Sequence, residues 1–436
     1  MQIKPFKAFR YNPDIVGNVG NCIAPPYDVI NETSRDQLLE KNQYNIVRVI
    51  KATEQASDNE QENQYTRAAG FLYSWIEKGA LKQDANESLY GYIQNFEIAG
   101  IEFQRYSFIA LAKLEEFGTV VKPHEQILAK PLIDRYNLKK ATSADIGLVF
   151  MLYEDKQKIA DNIISRIAQE DAVIDFVDEQ GVRHRLYIIN NEKDTDQIVS
   201  MMKTKSCIIA DGHHRYTTGL KYSKECDNPA AKYQMLAFAN TDQEGLIVLA
   251  THRIVGNLIT FDLKKFIDSL KSKFEVIKYE FDNTETKLQA KQKMLLKMRL
   301  EHNEENCAFG IYGKDNVFYA AILKDKDAIN KAAADMSPAW RKLDLAILHK
   351  LILEELLGID QELLAKGENI QYVKDTPTAI DDSIEQIDKG DKQVAFFTNA
   401  VTIKQLNMVT DAGERMPQKA TYFFPKLFSG LTIHKF

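Results

Sequence analysis

Apolar residues recur along this chain in two rhythms. From 64 to 78, Ala68, Ala69, Leu72, Trp75 and Ile76 fall at helical spacing, which predicts an amphipathic helix. Leu263 to Phe274, with Asp262 as N-cap, and Lys287 to Arg299 carry the same period. Pro338 to Leu357 predicts the most apolar helix, with Leu343, Ile347, Leu351 and Leu356 at near-heptad spacing. Strand-like runs lie between. Asn45 to Lys51 is β-branched and predicts a strand. Leu89 to Phe96 with Phe103 to Leu114 predicts a hairpin around Ala99-Gly100, and Ala172 to Val177 with His184 to Ile189 a second around Gln180-Gly181. Ser206 to Ala210 predicts a strand running directly into a helix over 213–224. Hairpins are too frequent for a doubly wound parallel sheet, so the expected class is α+β with mixed sheets. At 436 residues two or three domains are expected, drawn as 1–115, 116–260 and 261–436.

Composition removes several functional classes. No apolar run reaches the roughly 18 residues of a membrane span, and the N-terminus does not read as a signal peptide. The four cysteines are far apart and share no CxxC spacing, which fits a reducing cytoplasm and argues against disulfides or a zinc cluster. A net charge of −6 does not favour nucleic-acid binding.

Three clusters carry chemistry. In Asp211-Gly212-His213-His214-Arg215 a strand becomes a helix. Gly212 lets the backbone approach a ligand, the first helical amides face it, and Arg215 adds a forked donor suited to phosphate. Asp211 can cap the helix, bind magnesium, or do both, whereas a metal pair of His213 and His214 is disfavoured by their adjacent spacing. In Lys122-Pro123-His124-Glu125, Glu125 is a candidate general base, set against the reading of a solvated loop glutamate. The third cluster runs from Gly413 to Gly430, where Arg415, Lys419 and Lys426 suit either an anion-binding loop or a solvated basic face. Thr251-His252-Arg253 and Tyr27-Asp28 are weaker candidates.

Taken in order, several strings resemble a widespread bacterial and archaeal family of unknown function. They are Ile3 to Arg10, Ala24 to Ile30, Asn45 to Arg48, Pro123-His124-Glu125, Ala210 to Tyr216, Thr251-His252-Arg253, Leu343-Asp344 with His349, and Met416 to Gly430. More distantly, Lys-Pro-His-Glu followed by a strand ending in Asp-Gly-His-His-Arg is similar to the ParB/sulfiredoxin-like fold, and within it to the free serine kinases. That resemblance implies a ParB/sulfiredoxin-like core over 116–260 and phosphoryl transfer involving free serine or O-phosphoserine, in the kinase or the phosphatase direction. It implies Glu125 as the base, Asp211 and His213 as its catalytic partners, and Asp211 as the magnesium ligand. Gly212, His214 and Arg215 would hold ADP or ATP phosphates, supplemented by Arg415 and Lys419, with His124 and Arg253 as weaker substrate contacts. It also implies a role in serine synthesis. The competing expectation is a non-catalytic nucleotide-binding switch.

Overall fold

A computed structural model describes residues 1–126 and 129–436, without the side chains of residues 129, 130 and 365. Its contacts divide the chain into two compact units. The first gathers residues 1–123, 127–247 and 423–436, and the second 124–126 and 248–422. The class is mixed α and β with several sheets, as the hairpin pattern predicts.

The first unit holds a nine-stranded sheet among the described residues. Its strands are β1 (Ile3–Lys4), β2 (Leu89–Ile98), β3 (Ile101–Lys113), β4 (Val121–Lys122), β5 (Val149–Tyr153), β6 (Ile174–Val177), β7 (Arg183–Ile189), β8 (Cys207–Asp211) and β9 (Tyr233–Asn240). They run in the order β4-β8-β5-β9-β3-β2-β7-β6, with β1 paired to β3. The expected segments 1–115 and 116–260 thus share one sheet. Both predicted hairpins form: β2 meets β3 at Ile98 and Ile101, and β6 meets β7. Ala99 and Gly100 turn the first with positive φ of 51° and 81°, the geometry that matches strand twist. The β4–β8 and β5–β9 pairs are parallel and the rest antiparallel.

Helices complete this unit: α1 (Gln64–Glu77), α2 (Ala129–Thr142), α3 (Ile159–Ile167), α4 (Glu192–Met202) and α5 (His213–Glu225). One core joins Phe108, Met151, Ile164, Ile209, Leu236 and Phe238 around the sheet. A second gathers Ile46, Val47, Leu72, Trp75 and Ile146. Here the expected strand over Asn45–Lys51 is instead a helical turn, Val47–Ile50. Val47, Val49 and Ile50 are all buried, and the Asn45 side chain accepts from the Val47 amide at 2.9 Å. Burial on every side outweighs the β preference of branched residues.

The second unit carries an antiparallel sheet of β10 (Thr251–Val255), β11 (Phe274–Glu280), β12 (Ala308–Tyr312), β13 (Val317–Leu323), β14 (Ile370–Lys374) and β15 (Val394–Phe397). Their order is β11-β13-β12-β15-β10-β14. The expected Asp262 cap is present, accepting from the Lys265 amide at 3.0 Å. The long helix expected over Pro338–Leu357 is broken into short turns at Pro338–Arg341 and Asp344–Ile347, followed by a π-helical segment Leu348–Glu354. Leu345, Ile347, Leu348, Leu351, Ile352 and Leu353 are all buried, so burial surrounds this segment and one amphipathic stripe does not govern it. Among the described residues no helix is long and apolar enough to cross a membrane.

Within the first unit a buried ion pair ties α2 to Asp145. Lys139 and Asp145, 6% and 3% exposed, are hydrogen-bonded, and Asp145 also meets the Met235 amide at 3.2 Å and His434 Nδ1 at 3.3 Å. Burial pushes the Asp145 carboxyl up, but Lys139 and His434 together hold it below its ordinary value. Its stabilisation is therefore present above the usual carboxylate range and is lost as pH falls. Lys139→Met should cost about 3–5 kcal/mol in urea unfolding at pH 7, because it strands a buried charge. That deficit should shrink towards pH 4 as the orphaned carboxyl protonates; a cost below about 1 kcal/mol at pH 7 contradicts the assignment.

Candidate phosphate-binding turn

Strand β8 is apolar through Cys207, Ile208, Ile209 and Ala210, all buried, and pairs with β5 and β4. Its pairing with β5 shifts register between Ile209 and Asp211, at the edge of the turn. Gly212 follows with φ of +91° in the left-handed region and occupies the N-cap of α5 with no side-chain cap. Asp211 is therefore not the helix cap. Its carboxylate is shared by two cations: Arg215 Nη2 donates to one oxygen at 2.9 Å, and Lys426 Nζ to the other at 3.0 Å. The three side chains are 20%, 11% and 12% exposed, enough shielding for the charges to act on one another.

Burial alone would push the Asp211 carboxyl up. Lys426 and Arg215 outweigh it, with the Lys426 hydrogen bond and His213 adding to them, so the group is held well below its ordinary value. Two cations thus face one carboxylate at the turn. They stand at the start of a thirteen-residue helix, where the dipole favours an anion. His213 is buried and His214 half-buried.

Lys426 reaches the turn because two polar side chains inside the sheet hold its loop. Arg105 of β3 is fully buried. It donates from Nη1 to the Phe424 carbonyl at 3.2 Å, from Nη2 to the Pro425 carbonyl, and to Gln94 Oε1 of β2. Gln94 Nε2 donates in turn to the Lys426 carbonyl at 2.9 Å. Three successive carbonyls are thus gripped, and the guanidinium stacks 4.8 Å from the Phe150 ring. Burial lowers Arg105 to about 10, opposed by Tyr92 and Asp211, so it stays charged at neutral pH. Sequence reasoning passed over Arg105 and Gln94. The available signal was a charged and an amide residue inside otherwise apolar strands, a costly placement unless hydrogen-bonded.

The remaining expected site residues lie in the second unit. His124 is buried, its Nε2 2.8 Å from Thr421 Oγ1, while its carbonyl accepts from the Met416 amide. Glu125 is half-buried. Arg253 is fully buried and donates to the carbonyls of Thr251, Gln418 and Lys419, a loop-anchoring arrangement like that of Arg105. Arg415 and Lys419 are exposed, and their carbonyls accept from Trp340 and Arg253. Of the basic residues in 413–430, Lys426 is the one paired with Asp211.

The family model described as Protein of unknown function (DUF1015) matches residues 3–346. The chain belongs to this family. Solved structures with similarity include a free serine kinase in complex with AMP, at 16% identity over 70% of this chain and 83% of that one, TM-score 0.33. A conserved hypothetical protein from Pyrococcus furiosus is similar at 18% identity over 70% and 88%, TM-score 0.32. C-terminally truncated SbnI from Staphylococcus aureus is similar at 10% over 75% and 87%, TM-score 0.34. At these scores the likenesses carry no argument about the site. No curated protein matches the chain.

Gly212 tests the geometry of the turn in this family member. A Cβ there would lie 2.8 Å from Arg215 Nε and 2.9 Å from Nη2. Gly212→Ala should lower stability by about 1–2 kcal/mol from the left-handed backbone alone. It should also push Arg215 off Asp211, visible as a shifted Arg215 side-chain NMR resonance; an unchanged resonance and stability contradict the packing described.

Proposed function

We propose that the Asp211–Arg215 turn binds a phosphate group, and that the protein transfers a phosphoryl group between a nucleotide and serine, or releases it from O-phosphoserine. One observation carries the phosphate reading: Arg215 and Lys426 converge on the Asp211 carboxylate at a helix start where Gly212 takes the left-handed conformation. Arg215 and Lys426 then stabilise charge on the transferring phosphoryl group. A ParB/sulfiredoxin-like core over 116–260 and a place in serine synthesis belong to the same proposal.

Magnesium fits the turn poorly as the side chains stand. Asp211 supplies one carboxylate with both oxygens engaged, and the described residues contain no group of three or more His, Cys, Asp or Glu placed to hold a metal. The charge stabilisation is therefore assigned to the two cations, and no step is routed through the metal. Glu125 is proposed as the base that takes the serine hydroxyl proton, and His213 as a further catalytic group. ADP or ATP is the proposed nucleotide, with His214 at its phosphates. Further substrate and anion contacts are proposed for His124, Arg253, Arg415 and Lys419.

A second reading has one observation in its favour. The fully paired Asp211 suits a binding turn that needs no reactive carboxylate, as in a nucleotide-binding switch.

Incubation with O-phosphoserine, with and without ADP and magnesium, separates these readings. ATP and serine formed together mean kinase chemistry run in reverse, and serine with free phosphate means a phosphatase. Nucleotide binding without turnover selects the switch. Asp211→Ala and Glu125→Gln should each lower kcat by about 100-fold or more while leaving the thermal midpoint of the Glu125 variant unchanged. Full activity in both variants overturns the site assignment.

A further inference from the structure

The helix expected over 287–299 runs from Thr284 to Asn303, α6 of the second unit. Ala290, Met294 and Met298 on one side of it are buried in that unit's core with Tyr312, Phe318 and Ala320 of the sheet. The opposite side of such a helix is ordinarily polar. Here Leu288, Leu296 and Leu300 stand 49%, 57% and 51% exposed, beside exposed Glu285, Gln292 and Arg299. A row of leucines on the outer face of a core-packed helix marks a surface that a partner covers.

The charges on this face are arranged to complement a copy of themselves. Lys287, Lys291 and Lys297 are spent within the second unit on Asp388, Asp381 and Glu301. Glu285 and Arg299 have no ion-pair partner among the described residues; Glu285 accepts a long hydrogen bond, 3.4 Å, from Gln289 Nε2. Glu285, Leu288, Gln292, Leu296 and Arg299 follow one another at spacings of 3, 4, 4 and 3 residues. At about 100° per residue all five lie within about 40° of Gln292, while the exposed Lys293 lies well off this line. The order is symmetric about Gln292. A two-fold axis through that residue brings each Leu288 against Leu296 of a second copy, and each Glu285 against its Arg299. Gln292 meets its own copy at the axis, where one amide donates and the other accepts. An anionic membrane or an acidic peptide would answer Arg299 but leave Glu285 facing like charge.

We propose that this face of α6 is an interface between two copies of the chain, an isologous antiparallel helix pair centred on Gln292. The leucines supply the apolar contact, and the Glu285–Arg299 pairs together with Gln292 set direction and register. One helix about 30 Å long on each side makes a small interface, so the dimer is weak, with a Kd on the order of 10 µM. Neither the phosphate turn nor its proposed activity enters this interface.

Sedimentation velocity of the full chain between about 1 and 300 µM tests this. The wild type should pass from monomer to dimer across that range. Leu296→Glu should raise Kd about tenfold or more. So should Glu285→Arg and Arg299→Glu, each of which sets two like-charged pairs across the axis. An equimolar mixture of the Glu285→Arg and Arg299→Glu chains should recover dimers within about threefold of the wild-type Kd, because every pair is then opposite in charge. A wild type that stays monomeric throughout overturns the interface, as do single variants that dimerise like the wild type. A mixture no more dimeric than its two components overturns the arrangement centred on Gln292.

Discussion

Everything distinctive about the candidate site follows from one carboxylate held between two cations. Asp211 stands at the end of a buried strand, where an unpaired charge is expensive, and Arg215 and Lys426 each take one of its oxygens. Neither cation would reach it without help. Arg215 comes back across the turn because Gly212 has no Cβ to obstruct it. Lys426 arrives from the far end of the chain because Arg105 and Gln94 hold three carbonyls of its loop. A buried charge is thus satisfied, and both cations are held at the helix start proposed to take a phosphate.

The economy of the arrangement lies in its use of backbone. Arg105 is fully buried with no carboxylate among its hydrogen-bond partners in the described residues, and carbonyl and amide oxygens take up its donors. Its charge therefore adds to the positive field near Asp211 and is not cancelled locally. Arg253 anchors the loop at 418–419 in the second unit by the same device.

Much of this was legible in the sequence where local signals and burial agree. The β8–α5 junction, both hairpins and the Asp262 cap were visible because apolar period, glycine placement and capping chemistry pointed the same way. The sequence misled where residues are buried all round, since periodicity then loses its meaning: Asn45–Lys51 became a helical turn and Pro338–Leu357 a broken, partly π-helical segment. The basic loop was recognised as a candidate, but spacing along the chain could not choose among Arg415, Lys419 and Lys426. That choice is made by a contact 215 residues away in sequence. Arg105 and Gln94 escaped notice for a related reason, as their partners are backbone carbonyls that leave no compositional trace.

The central claim is that Lys426 and Arg215, gathered at Asp211, bind phosphate. AMP affinity of Lys426→Gln against wild type, measured by calorimetry at low and at physiological salt, tests it most directly. The account predicts at least a tenfold loss in the variant and a weaker salt dependence than in the wild type. Equal affinities with the same salt dependence would contradict it.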